Sequence, residues 1–135
     1  MVYYPVYLVE SLGMPRNHHA IFIKTGDKEE GTIFNVTGNA MNGFNLEIRE
    51  TSQSPRLEAT FESWAEIGVI AITDLPRVKE ICEANPPPGK QYDGLKRIDP
   101  AKPLRRCQEW TRETIGHLRE QGVLLHDNKI MGKDL

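Results

Sequence analysis

The chain has 135 residues, 39% hydrophobic and 27% charged, with 17 Lys and Arg against 19 Asp and Glu. That is enough for one domain with its own core, and the whole span 1–135 is read as a single domain. A net charge of −2 excludes the basic face of a nucleic-acid binder, and the hydrophobic content excludes a disordered segment.

Val2 to Glu10, rich in Val and Tyr, predicts a first strand, with Pro5 arguing for a sheet edge. This N-terminus lacks a basic leader and a cleavage site, and is too short for a membrane span, so cytoplasmic residence is the default expectation. After a Gly/Pro/Asn loop, His18 to Lys24 reads as a strand, with His18, Ala20 and Phe22 on one face and His19, Ile21 and Ile23 on the other. A charged, glycine-bounded turn leads to a return strand at Thr32–Thr37, which makes residues 18–37 a hairpin. Phe44 to Glu50 alternates as a half-buried strand. The segment 58–66 fits strand or helix, and the apolar run 67–72 predicts a buried central strand.

Asp74 and Pro76 predict a helix start, and Leu75, Val78, Ile81 and Cys82 share its apolar face. The helix must end before the triple proline at 86–88. Residues 85–103 hold five prolines and read as an ordered flap anchored by Tyr92, Leu95 and Ile98. A second helix is predicted from about Leu104 to Gln121, its stripe formed by Leu104, Cys107, Thr111, Thr114 and Leu118 and widened by Trp110 and Ile115. Its burial is expected against the Ala20/Phe22 face of the hairpin. The tail from His126 to Leu135 is expected to fray.

Two cysteines do not make a disulfide framework, and both read as free thiols. Cys82 sits on a core stripe. Cys107 stands where a helix begins, behind Arg105 and Arg106, and a helix N-terminus favours thiolate. A Cys–His site needs a thiolate, an imidazole within reach, a third polar group to orient the ring, and N–H donors for the oxyanion. The helix start offers the first and last. The hairpin offers the others: either His18 or His19 as base, and Asn35, an asparagine where strands disfavour one, as the third member. Adjacent strand histidines cannot share one ion easily, so no metal is expected. No cofactor is needed for this chemistry. The same residues also allow two rivals: a cofactor-free isomerase or cyclase using a histidine as general base, or a catalytically silent small-molecule-binding protein.

The segment His18-His19-Ala20-Ile21-Phe22-Ile23, followed by Thr32-Ile33-Phe34-Asn35-Val36, resembles the histidine hairpin of papain-like NlpC-type thiol hydrolases. Cys107-Gln108-Glu109-Trp110 resembles their helical cysteine motif. The histidine hairpin precedes the cysteine helix, an order similar to that of the circularly permuted branch. The chain also resembles short fungal proteins carrying Cys107-Gln108-Glu109-Trp110-Thr111. The resemblance covers under half of the chain. It departs from the pattern at Arg106, where relatives more usually carry Asp or Asn, and in the proline-rich stretch before the cysteine. It implies an α+β fold, permuted papain-like, with a small antiparallel sheet packed on a cysteine-bearing helix. It selects His18 as base beside Cys107 and Asn35. The expected activity is a thiol hydrolase or acyltransferase acting on an amide, ester or thioester of a small molecule or peptide. His19, Trp110, Tyr92 and Arg106 are the expected substrate-binding residues.

Overall fold

A computed structural model describes residues 2–126. The elements are β1 (Tyr3–Ser11), β2 (His18–Lys24), β3 (Gly31–Asn39), β4 (Gly43–Thr51), β5 (Phe61–Ala71), α1 (Leu75–Ala84), β6 (Tyr92–Asp93), β7 (Lys96–Arg97) and α2 (Cys107–Glu120). Five strands form one antiparallel sheet in the order β4-β3-β2-β1-β5, and β6 and β7 pair separately as a small ribbon in the flap. The fold is α+β. Apart from His126, the segment expected to fray lies outside the described residues.

Both faces of the sheet are covered. On one face Val6, Ile21, Ile23, Phe34, Val36 and Ile70 form a core with Val78, Ile81 and Cys82 of α1 and with Cys107, Trp110 and Leu118 of α2. On the other, Val9, Ala20, Phe22 and Ile33 pack under Tyr7, Phe61 and Trp64. The hairpin therefore packs on α2 through its Ile21/Ile23 face and not through the expected Ala20/Phe22 face. The larger aliphatic surface, continued by Phe34 and Val36, receives the helices. The Ala20/Phe22 face is closed by aromatics, with Trp64 stacked on Tyr7 at 4.2 Å between ring centroids.

Two strand positions also differ from expectation. β1 lies inside the sheet, between β2 and β5. Pro5 is tolerated there because its β5 partner Val69 turns its N–H and C=O outward to Leu125 at 2.8 Å, while pairing with β2 begins only at Val6. The apolar run 67–72 is, up to Ala71, the second half of a single long strand, β5, which lies at the end of the sheet; Ile72 begins the short 3-10 turn after it. It stays buried because the chain returns at Leu125 to bridge Val69, with Val123 and Leu124 beneath. Gly68 makes that approach possible: its φ is +150°, and a Cβ there would stand 2.3 Å from the Leu125 carbonyl oxygen.

α2 begins at Cys107, three residues later than the sequence suggests. The residues before it are held extended: Arg105 N–H donates to Gln91 Oε1 at 2.7 Å, and Gln91 Nε2 donates to the Arg105 carbonyl at 2.6 Å. The flap is thus tied down by polar contacts. Trp110 Nε1 donates to the Asn85 carbonyl, and Asn85 Nδ2 to Thr114 Oγ1. Leu95 and Ile98, expected as apolar anchors, are 92% and 57% exposed. Only Tyr92 of that trio is half-buried, with Arg97 over its ring.

Candidate active site

Cys107 is the first residue of α2, and Arg106 occupies the cap position. No side chain at the cap can accept from the first turn, and the deficit is met in part by Glu109, whose Oε1 accepts from the Arg106 N–H at 2.7 Å. Glu109 in turn binds Arg16 through two hydrogen bonds of 2.9 and 3.0 Å. This bidentate pair ties the loop before β2 to the start of α2, and the Gln108 amide donating to the Asn17 carbonyl adds a second tie. Together they bring the beginning of β2 to the thiol.

His18 reaches Cys107 although the Ala20/Phe22 face points away from the helices. The paired stretch of β2 and β3 stops at Ile21–Phe34, so the strands part beyond it. The His18 ring occupies the opening: its Nε2 lies 2.8 Å from Asn35 Oδ1, and the ring also comes within interaction range of the Cys107 sulfur. The same parting frees the His19 N–H, which also donates to that sulfur.

Asn35 is 3% exposed, and its orientation is fixed by its own partners. Its Nδ2 lies 3.2 Å from both the carbonyl oxygen and Oε1 of Glu47, the residue opposite it on β4. Both are acceptors, so Nδ2 must face Glu47 and Oδ1 must face His18. Nε2 of His18 therefore carries the proton given to Asn35, which leaves Nδ1 for the sulfur.

The charges follow from this geometry. Burial pushes the Cys107 thiol up, but the His18 hydrogen bond, the His19 N–H and the charges of His18 and Arg16 outweigh it, and the net effect is a thiol held below its ordinary 9.0. His18 is raised above its ordinary 6.5, foremost by the hydrogen bond to Cys107, against desolvation, with help from the Cys107 charge, Asn35 and Glu47. Both shifts favour a thiolate–imidazolium pair. Cys82 shows the contrast: desolvation pushes its thiol up to about 12. Arg105 is clasped by Glu113 at 2.7 Å and by Asn85; the arginine that acts on the thiol is Arg16.

Cys107 and His18 line a cleft of about 510 Å³ between the loop before β2, the β3–β4 turn and the flap. Tyr92 and Arg106 line it too. His19 does not: its imidazole meets Glu10 at 3.2 Å and borders a separate trough along α2. Trp110 is fully buried and is a core residue, so it has no surface to offer a substrate. Arg16, Glu109 and Glu47 were missed from the sequence. Glu109 had a signal, an acid three residues after a helix cap. Glu47 needed the β3–β4 register, and Arg16 lies in a loop without periodicity.

Among the described residues no group of three or more His, Cys, Asp or Glu is placed to hold a metal ion, and no helix is long and apolar enough to cross a membrane. Residues 6–125 match the model of a family of unknown function, DUF6540, and the chain belongs to that family. No curated protein and no solved structure matches it.

Proposed function

We propose that this member of the DUF6540 family is a thiol-dependent hydrolase or acyltransferase of permuted papain-like type, acting on an amide, ester or thioester. The observation that carries the reading is the His18 ring held between Asn35 Oδ1 and the Cys107 sulfur at the wall of an open cleft. The order of histidine hairpin before cysteine helix supports the permuted form. A bystander thiol would need neither a fixed tautomer nor a lowered pKa.

In this reading the Cys107 proton passes to His18 Nδ1, and the sulfur attacks the substrate carbonyl. The developing oxyanion meets the backbone N–H groups at the start of α2, which have no partner within the helix. As the tetrahedral intermediate collapses, the carbon–heteroatom bond breaks and His18 gives its proton to the leaving amine, alcohol or thiol. A thioester on Cys107 remains. His18, again neutral, takes a proton from water or an acceptor alcohol or amine, which attacks the thioester and restores the thiol. Asn35 keeps the ring aligned through both halves.

The test is the pH profile of iodoacetamide labelling, read separately at each cysteine by mass spectrometry. The labelling limb of Cys107 is expected below its ordinary 9.0, and Cys82, pushed up to about 12, to stay unlabelled at neutral pH. His18→Ala should move the Cys107 limb upward. Turnover should have an acid limb set by Cys107 and an alkaline limb set by His18, the latter above 6.5. Equal labelling of both cysteines, or a Cys107 profile indifferent to His18→Ala, would remove the basis of the proposal.

A further inference from the structure

Behind the cleft, on the other side of Arg16 and Gln108, lies a separate trough along α2. Arg16 and Gln108 line both, so they form the wall between them. The trough is floored by Thr111, Ile115 and Gly116, walled by Leu8 and Ile67, and flanked by Arg112 and Arg119. Glu10 and Glu109 also face it, each already engaged, with His19 and Arg16 respectively.

Three features mark it as built to hold something. First, Thr111 is 1% exposed, yet its Oγ1 has no hydrogen-bond partner among the described residues, and the buried Gln108 Oε1 is likewise unpartnered. Buried polar atoms are seldom left so. Second, Gly116 stands in mid-helix, where glycine is disfavoured, and packing does not require it: an added Cβ would meet nothing within 4 Å. A missing side chain with no neighbour to accommodate keeps the trough open. Third, neither Arg112 nor Arg119 has a carboxylate in ion-pair contact among the described residues; Arg119 donates to the Ile67 carbonyl at 3.2 Å, and Arg112 acts only at longer range on Glu113, which Arg105 already holds.

We infer that this trough is a second binding site, for a ligand with an aliphatic body and an anionic group at each end. The two arginines are seven residues apart, two turns of helix, or roughly 10 Å along the axis. Between them the walls are aliphatic, from Leu8, Ile67 and Ile115. The body of the ligand lies against these side chains and over Gly116, and its ends take the guanidinium groups. The site does not depend on the thiol chemistry proposed for Cys107.

The test uses decanedioate, whose carboxyl groups span a similar length when extended, in calorimetric titration of the full chain. Saturable binding is expected, weakened about tenfold in Arg112→Gln/Arg119→Gln. Gly116→Leu should abolish it, since the side chain fills the trough while the helix keeps or gains stability. Cys107→Ser should bind as the wild type does, which separates this site from the catalytic cleft. Decanoate, with one anionic end, should bind more weakly than decanedioate. No binding at millimolar decanedioate, or binding that survives Gly116→Leu in a folded protein, overturns the inference. Tripolyphosphate binding as tightly as decanedioate would show a site for charge alone, and would overturn the aliphatic part of it.

Discussion

Replacing Asn35 by Ala removes the acceptor that holds His18 Nε2. In the native protein Nε2 lies 2.8 Å from Asn35 Oδ1, and Asn35 is 3% exposed, so water does not easily take its place. A hydrogen bond to a charged group is worth about 1.5–3 kcal/mol, and here that is the imidazolium of the ion pair. Losing it lowers the population of correctly oriented, charged His18 by roughly ten- to a hundredfold. The consequence at the sulfur is direct, because the His18 hydrogen bond is the foremost of the effects that lower the Cys107 pKa against burial. The acid limb of Cys107 alkylation should therefore move toward 9.0, and the rate at neutral pH should fall about tenfold or more. Stability should fall as well, by about 1–3 kcal/mol, since Glu47 loses both bonds from Asn35 Nδ2. The assay is iodoacetamide labelling followed by peptide mass spectrometry across pH, at a temperature where circular dichroism shows the variant folded. A folded Asn35→Ala with the wild-type labelling profile would refute the argument that this side chain sets the tautomer and charge of His18.

Three further outcomes follow from the same geometry. Cys82→Ala should cost about 1–2 kcal/mol in urea unfolding and leave Cys107 labelling unchanged, because Cys82 is fully buried against Val78 and Ile81; lost reactivity in a folded variant would contradict this. Arg16→Gln should slow Cys107 labelling by about two- to fivefold at low salt and less at high salt, since the Arg16 side chain is 44% exposed and its charge is screened; a difference unaffected by salt would mean that Arg16 acts through loop position and not through charge. Gln91→Ala should loosen the flap by removing both bonds to the Arg105 backbone, at about 1–2 kcal/mol, and raise the labelling rate with a bulky maleimide more than with iodoacetamide; equal changes with both reagents would show that the flap does not limit access.

The parts of the fold that were legible are those in which local pattern and tertiary burial agree. The β2–β3 hairpin, β4 with its Phe44/Leu46/Ile48 alternation, and the stripe of α2 all read directly from periodicity. Misread features were settled by distant partners. Pro5 marks an edge in isolation, but inside this sheet its missing N–H falls where neither neighbour asks for one. The run 67–72 looks central because it is apolar, yet its burial comes from the returning chain at 123–125. The helix face of the hairpin could not be chosen from sequence, because both faces carry enough apolar surface to bury.

At the candidate site, Cys107 and Asn35 were legible as residues that break or exploit a local rule. His18 was separable from His19 only through the family resemblance. The structure supplies the physical reason: β2 and β3 part beyond Ile21–Phe34, so His18 fills the opening while His19 turns its ring away and offers its backbone instead. Trp110, expected among the substrate-binding residues, is carried by helical spacing into the core beside Asn85.

The central claim is that Cys107 attacks carbonyl carbon with His18 as its base. The measurement that meets it most directly is intact-mass and peptide mapping of the protein after brief exposure to p-nitrophenyl acetate at neutral pH. The account predicts one acetyl group on Cys107, formed with a stoichiometric burst of nitrophenol, none on Cys82, and at least about a hundredfold slower formation in His18→Ala. An acetyl group distributed over lysines with Cys107 unmodified, or one formed on Cys107 at the same rate without His18, would contradict it.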